Sequence, residues 1–255
     1  MVWGEDSLSP AAAASALQWW ADAGVDVLID EQPRDWLRPQ PKAAPAAPPR
    51  ADPAPSARTA PPAPPAQPDD PPPDQLGLFQ SWLRDSASLP FTAPAAARVC
   101  PAGDPASGLM ILADMPTVED CGAGTLISGD AGRLFDRMLA AIGRDRESVY
   151  LAALSCLRSP DGRFTTDSAK NCAALARHHV GLAAPRAVLL LGDACSKALL
   201  GLPMAQARGR WHELATHNGP AKALVTISPS QLLSHPAHKK YAWADLQMLI
   251  EELNG

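Results

Sequence analysis

The chain is short of aromatic residues, with only two tyrosines and four phenylalanines beside seven tryptophans in 255 residues. It also has no apolar run near the ~20 residues that a membrane span needs. Its first residues, Met1-Val2-Trp3-Gly4-Glu5-Asp6, carry no basic stretch of the kind that opens a secretory signal. Neither export nor membrane insertion is therefore expected, and the reading is a cytoplasmic protein with reduced thiols. There is no excess of positive charge either: the net charge is −5, which argues against a protein that coats nucleic acid without specificity.

Proline, by contrast, is plentiful and concentrated. Fifteen of the 28 prolines lie between Pro39 and Pro73, interleaved with alanine and with almost no large apolar side chain. Such a segment cannot bury enough surface to offset its ordering entropy, so residues 38–75 are expected to be a disordered linker. Ahead of it, Ser9-Pro10 and AAAASALQWWADAG read as a capped helix closed by Gly24. With Val25, Val27, Leu28, Ile29 and Trp36, the segment 1–37 is too apolar for a free tail; it either docks back on the body or meets a protein partner.

The body is expected over residues 76–255. A short helix over 76–83 precedes a mostly irregular stretch to 107. Leu109 to Gly143 then reads as a buried strand, a long polar and glycine-rich loop, and an amphipathic helix. The strand ends in Ala113-Asp114-Met115-Pro116, where proline stops regular pairing and a carboxylate stands at the strand's carboxyl end. Asp130 is the expected helix cap, Leu134, Met138 and Ile142 share one face, and Gly143 stops the helix. Further strands are expected over 148–154, 187–192 and 223–227, with helices over 167–182, 193–200 and 237–253. Strands alternating with helices imply an α/β fold: a three-layer αβα sandwich around a four-stranded, mainly parallel sheet. Asp114, the segment 153–158, Gly192-Asp193 and Ser228-Pro229-Ser230 all fall at strand ends, where such sheets bind ligands.

The runs 113–136, 150–163, 189–192 and 226–236, in that order, resemble the four blocks of the uracil-DNA glycosylase superfamily, closest to its iron–sulfur family 4. The resemblance covers roughly the last 175 residues. It implies hydrolysis of an N-glycosidic bond on a flipped base, with uracil as the default. The family's water-orienting acid falls on Asp114, beside Pro116. Its base-stacking aromatic falls on Ile127, which has no π-face. The base-reading asparagine falls on Ala153, which has neither donor nor acceptor, and the charge-stabilising histidine on Ser228. Asp114 and Ser228 are thus the candidate catalytic pair, and Pro116, Ile127 and Ala153 the candidate base pocket. The substitutions point to weakened or altered specificity, or to a module that binds DNA or a partner without catalysis. A small-nucleotide site follows from the crevice alone.

From Ala205 to Lys240 there are five basic residues against one acid, together with four histidines, and this is the expected DNA face for single or double strands. Arg208, Arg210, Lys222, Ser230, Lys239 and Lys240 are its candidate backbone contacts, and Leu232 or Leu233 its candidate wedge. The simpler reading makes both leucines anchors of the last helix. Cys156 and Cys172 share the sixteen-residue spacing of two of the family's cluster ligands. The other pair, a CxxC, is replaced by Ser86-Ala87-Ser88-Leu89, so a 4Fe-4S cluster lacks two of the family's ligands; the expectation is no cofactor, with a cluster left open only if Cys100 and Cys121 supply the missing pair.

Overall fold

The structure is a computed structural model that describes residues 71–90 and 98–255. The expected N-terminal helix, the segment 1–37 and the linker up to residue 70 lie outside the described residues. The first residues of the body are tied down before the expected boundary at 76, because a ring nitrogen of His178, Nε2, lies 2.8 Å from the Pro73 carbonyl. Helix α1 (Leu76–Asp85) follows and buries Phe79, Trp82 and Leu83.

The sheet is built from β1 (Ala102–Gly103), β2 (Leu109–Ala113), β3 (Tyr150–Ala153), β4 (Ala187–Leu191), β5 (Trp211–Thr216) and β6 (Gly219–Thr226). Its order is β1-β3-β2-β4-β6-β5. The four expected strands form the parallel centre β3-β2-β4-β6, in register Met110 with Tyr150, Met110 with Val188, and Leu190 with Val225. The expected count of four is corrected to six, because two antiparallel strands border that centre. β1 is only two residues long, too short for a periodic signal, and β5 (WHELAT) has the mixed burial of a half-wet edge.

Every residue of β2 and β4 is buried, as strands covered on both faces must be. Alternation divides their side chains between two layers. Met110, Leu112, Val188 and Leu190 meet Cys172, Ala176 and Val180 of α4 (Thr166–Ala183) and Leu199 of α5 (Gly192–Leu200). Leu109, Ile111, Leu189 and Leu191 meet Phe135 and Leu139 of α3 (Gly129–Ala141), and Leu246 and Leu249 of the final helix α8 (Lys239–Asn254). This is the expected three-layer sandwich. Short helices α2 (Val118–Ala123), α6 (Met204–Ala207) and α7 (Pro229–Ser234) complete the body.

The polar loop after β2 is not featureless, since α2 forms within it. The N-cap of α3 is Ser128 rather than Asp130, which lies in the first turn and pairs with Arg133. Among the described residues no helix is long and apolar enough to cross a membrane.

The chain leaves β2 toward β3 on one side and reaches β4 on the other. The switch in strand order therefore falls between β2 and β4, where open α/β sheets form their ligand crevice.

Candidate active site

A crevice of about 910 Å³ opens at that switch, over the carboxyl ends of β2, β4 and β6. Five carboxylates line it, those of Asp114, Glu119, Asp120, Asp130 and Asp193, with two guanidinium groups, Arg133 and Arg158. No aromatic ring and no imidazole is among its lining residues, and Gln231 carries its one side-chain amide.

Asp114 occupies the crevice floor directly after β2, and its own carbonyl accepts the Leu154 N–H at 3.0 Å, fastening the strand end to the neighbouring loop. Asp114 is exposed to water at the mouth, while the protein atoms packed around the strand end crowd its carboxylate from below. This crowding raises its pKa from 3.8 to about 6, against the pull of Arg158 and a hydrogen bond from the Met115 N–H. Arg158 is held by its Nη1, which donates to the Pro116 carbonyl at 3.2 Å, and its guanidinium lies against Gly162, where a Cβ would collide with it. The site thus pairs a carboxylate of near-neutral proton affinity with a fixed cation.

The wall opposite is the loop from Thr117 to Ser128, closed by Asp120. Thr117 Oγ1 accepts the Asp120 N–H while Asp120 accepts the Thr117 N–H, a reciprocal cap on α2. Asp120 also accepts the Ser128 N–H at 2.7 Å and its hydroxyl at 2.5 Å. Burial alone would raise the Asp120 pKa, but the Ser128 hydroxyl and the Thr117 and Ser128 N–H groups outweigh it and hold the carboxyl below its usual value. Ile127 consequently has φ 55°, a left-handed conformation that a β-branched residue rarely adopts. Arg146 secures it, donating to the carbonyls of Leu126 at 2.7 Å and Ile127 at 2.6 Å.

The third wall begins at Gly192, whose φ of 85° turns β4 into α5. A Cβ there would stand 3.4 Å from Ser228 Cβ, so glycine lets the two strand-end loops approach. Asp193 accepts the Met204 N–H at 2.9 Å and pairs with Lys197 at 2.5 Å. Ser228 caps α7, its hydroxyl accepting the Gln231 N–H at 3.4 Å, and Ser230 stands 3.2 Å from it.

Asp114, Ile127, Ser228 and Ser230 are therefore brought together. Two of the expected base-pocket residues are not. Pro116 is buried and is not among the lining residues, though its carbonyl holds Arg158, and half-buried Ala153 lines a separate small cavity. Leu232 is 1 % exposed among Leu134, Ile227 and Ala242, so it anchors α7 and cannot serve as a wedge; Leu233, 40 % exposed, lines the crevice instead. Arg208 is committed to buried Asp245 at 2.9 and 2.6 Å, and Lys222 to Glu252 at 2.6 Å. Neither is free for phosphate. Arg210 is exposed and donates to the Gln206 carbonyl, while Lys239 and Lys240 are exposed at the start of α8. Arg158 closes the segment 153–158 expected at a strand end, where the sequence alone assigns it no role, and Gln231, one residue beyond Ser230, has no pattern around it that singles it out.

The cluster ligands are incomplete: Cys156 and Cys172 are buried beside Leu83 and Leu89 at a small cavity, and Ser86-Ala87-Ser88-Leu89 stands where the family's other pair would be. Burial pushes their thiols up, Cys156 to about 11 and Cys172 to about 12, so both stay protonated while no metal is bound. Cys156 Sγ–H instead faces the Leu83 carbonyl at 3.5 Å. Among the described residues no group of three or more His, Cys, Asp or Glu could hold a metal ion.

A doubly covered parallel sheet with a carboxylate-floored crevice at its switch point defines an α/β domain built to act on a ligand at its strand ends. The sequence pattern of the uracil DNA glycosylase superfamily matches residues 100–247, more than half of the chain, and the chain belongs to that superfamily. It is similar to the type-4 uracil-DNA glycosylase of Pyrobaculum aerophilum, 24% identical over 153 residues, 57% of this chain and 78% of that one. It is also similar to the type-4 uracil-DNA glycosylase of Archaeoglobus fulgidus, 21% identical over 156 residues, 58% of this chain and 78% of that one.

Proposed function

We propose that the crevice hydrolyses the N-glycosidic bond of a base flipped out of DNA, with uracil as the default base and a specificity looser than its relatives' names imply. The observation that carries this reading is Asp114 on the crevice floor, its proton affinity raised to near neutrality, with Arg158 fixed beside it. Above about pH 6 the Asp114 carboxylate accepts a hydrogen bond from water and directs its oxygen at the sugar C1′. As that bond forms, the C1′–N bond breaks, its electron pair leaves with the base, and Asp114 takes the water's proton. Arg158 then stabilises the negative charge on the departing base, a task Ser228 cannot perform because a hydroxyl carries no positive charge.

Looser specificity follows from the lining. Ile127 offers dispersion where a ring would stack, Ala153 lies out of reach, and Gln231 carries the one side-chain amide able to present a donor and an acceptor side by side to a base edge. Leu233, rather than Leu232, is the apolar tip for the gap left by a flipped base, and Ser230, Arg210, Lys239 and Lys240 remain as backbone contacts. No cluster enters this scheme.

A second reading, DNA binding without hydrolysis, is favoured by the use of the Ser228 hydroxyl as a helix cap and by the absence of an imidazole from the lining. Incubation with single-stranded and duplex oligonucleotides containing uracil, followed by alkaline cleavage, separates the two when binding is recorded in the same samples. Abasic sites that vanish with Asp114→Asn support hydrolysis. Binding with no abasic sites supports the second reading, and no binding to either substrate removes both.

A further inference from the structure

Beyond the crevice lip, three rings stand in file on the surface. His235 and His238 stack with centroids 5.5 Å apart and planes at 13°, and Tyr241 follows 6.0 Å from His238. All three are exposed. Their spacing of three residues places them on one side of the chain as it passes from α7 through a 3₁₀ turn (Pro236–His238) into α8. A free cation flanks the last ring, with Lys240 Nζ 4.9 Å from the Tyr241 centroid, and Arg208, paired with Asp245, backs it at 5.5 Å. From Ser228 to Ala244 the chain carries Lys239, Lys240 and both histidines and no acid at all. Glu119 and Asp130 lie elsewhere in the crevice lining, outside this acid-free stretch.

Neighbouring rings, clustered cations and absent carboxylates are what an unpaired polynucleotide requires: π-faces for its bases and positive charge for its phosphates. Duplex DNA, whose bases already stack on one another, gains little from exposed rings. We infer that His235, His238 and Tyr241 form a stacking ladder for the unpaired nucleotides that flank the base held in the crevice, giving the protein a preference for single-stranded DNA. The inference rests on the DNA reading proposed above. It adds to it the substrate's strandedness and the residues that read it. The ladder begins two residues beyond Leu233, which lines the crevice.

The test measures the affinity of the full chain for a labelled thymidine-only single strand and for a labelled hairpin duplex. The triple variant His235→Ala, His238→Ala, Tyr241→Ala should lose about tenfold or more in single-strand affinity, while duplex affinity changes less than about twofold. Tyr241→Phe, which keeps the π-face, should bind like the wild type. Unchanged single-strand binding by the triple variant, or equal loss for both DNAs, overturns the ladder and leaves the crevice reading standing. Failure of the wild type to bind either DNA overturns both. Acylation of His235 and His238 by diethyl pyrocarbonate supplies a readout on the wild type, independent of whether the triple variant folds. The single strand should slow modification of both rings, and an unchanged rate counts against the ladder.

Discussion

The carbonyl of Ile127 lies 2.6 Å from Nη2 of Arg146, and this bond holds a β-branched residue at φ 55° in the crevice wall. Nη1 of the same guanidinium holds Leu126, and its Nε reaches Asp136 at 2.6 Å. One side chain thus sets the shape of the loop that faces Asp114. Arg146→Ala should lower stability by about 1–3 kcal/mol, since two carbonyls lose a charged donor. Urea melts measure that loss, and an unchanged midpoint would show that the Asp120 cap alone shapes the loop.

Ile127→Phe restores a ring where the resemblance places one and removes the β-branch from the left-handed position. Affinity for uracil-containing single strands should rise roughly three- to tenfold, the range expected of one added aromatic contact. A fall in affinity would mean that the base does not pass this wall.

Asp114 is ionised at neutral pH against its surroundings, so its removal has two opposite consequences. Asp114→Asn should cut excision by about 10²–10⁴ while DNA affinity changes little. Excision by the wild type should fall as pH drops through about 6. The folded state holds this proton more tightly than the unfolded chain, so between pH 3.8 and 6 the group costs increasing stability as pH rises. The melting temperature of Asp114→Asn should therefore match or exceed that of the wild type at pH 7, with the difference shrinking as pH falls toward 4.

Arg208 and Asp245 test whether a basic residue near the expected DNA face contacts DNA or serves the fold. Asp245 is 1 % exposed and also accepts from Thr226 Oγ1 at 2.8 Å. Arg208→Ala leaves that charge buried without its partner and should destabilise by about 3–5 kcal/mol. The salt dependence of DNA binding should keep its slope, whereas Lys239→Ala with Lys240→Ala should flatten it.

His179 is sealed between Tyr150, whose hydroxyl lies 2.8 Å from its Nε2, and Phe79 of α1. Burial lowers its pKa from 6.5 to about 3, so it stays neutral in the fold. The unfolded chain then binds the extra proton, and the wild type should lose up to ~1.4 kcal/mol per pH unit from this group as pH falls below 6.5. His179→Gln, which keeps a partner for Tyr150, should lose less over the same window.

The parallel centre of the sheet was legible because each of its strands is a short apolar run that proline, glycine or a polar loop terminates. Burial on both faces demands that pattern wherever the chain is met. Asp114 was legible for the same reason, since a carboxylate directly after such a run has to stand at a strand end. The resemblance placed Ile127, Ala153 and Ser228, yet it could not say that Ala153 would line a separate small cavity. Nor could it say that the Ser228 hydroxyl would cap a helix.

Local pattern determined the layers and the strand ends. Tertiary structure decided between neighbours that local pattern treats alike. Leu232 and Leu233 are adjacent and identical, and only the packing of α7 against α3 and α8 sends one to the core and the other to the lip. Arg208 and Lys239 carry the same charge, and only the buried Asp245, 37 residues along the chain from Arg208, withdraws one from solvent. Charge and hydrophobicity belong to a residue, but exposure and partnership belong to the contacts that distant segments make.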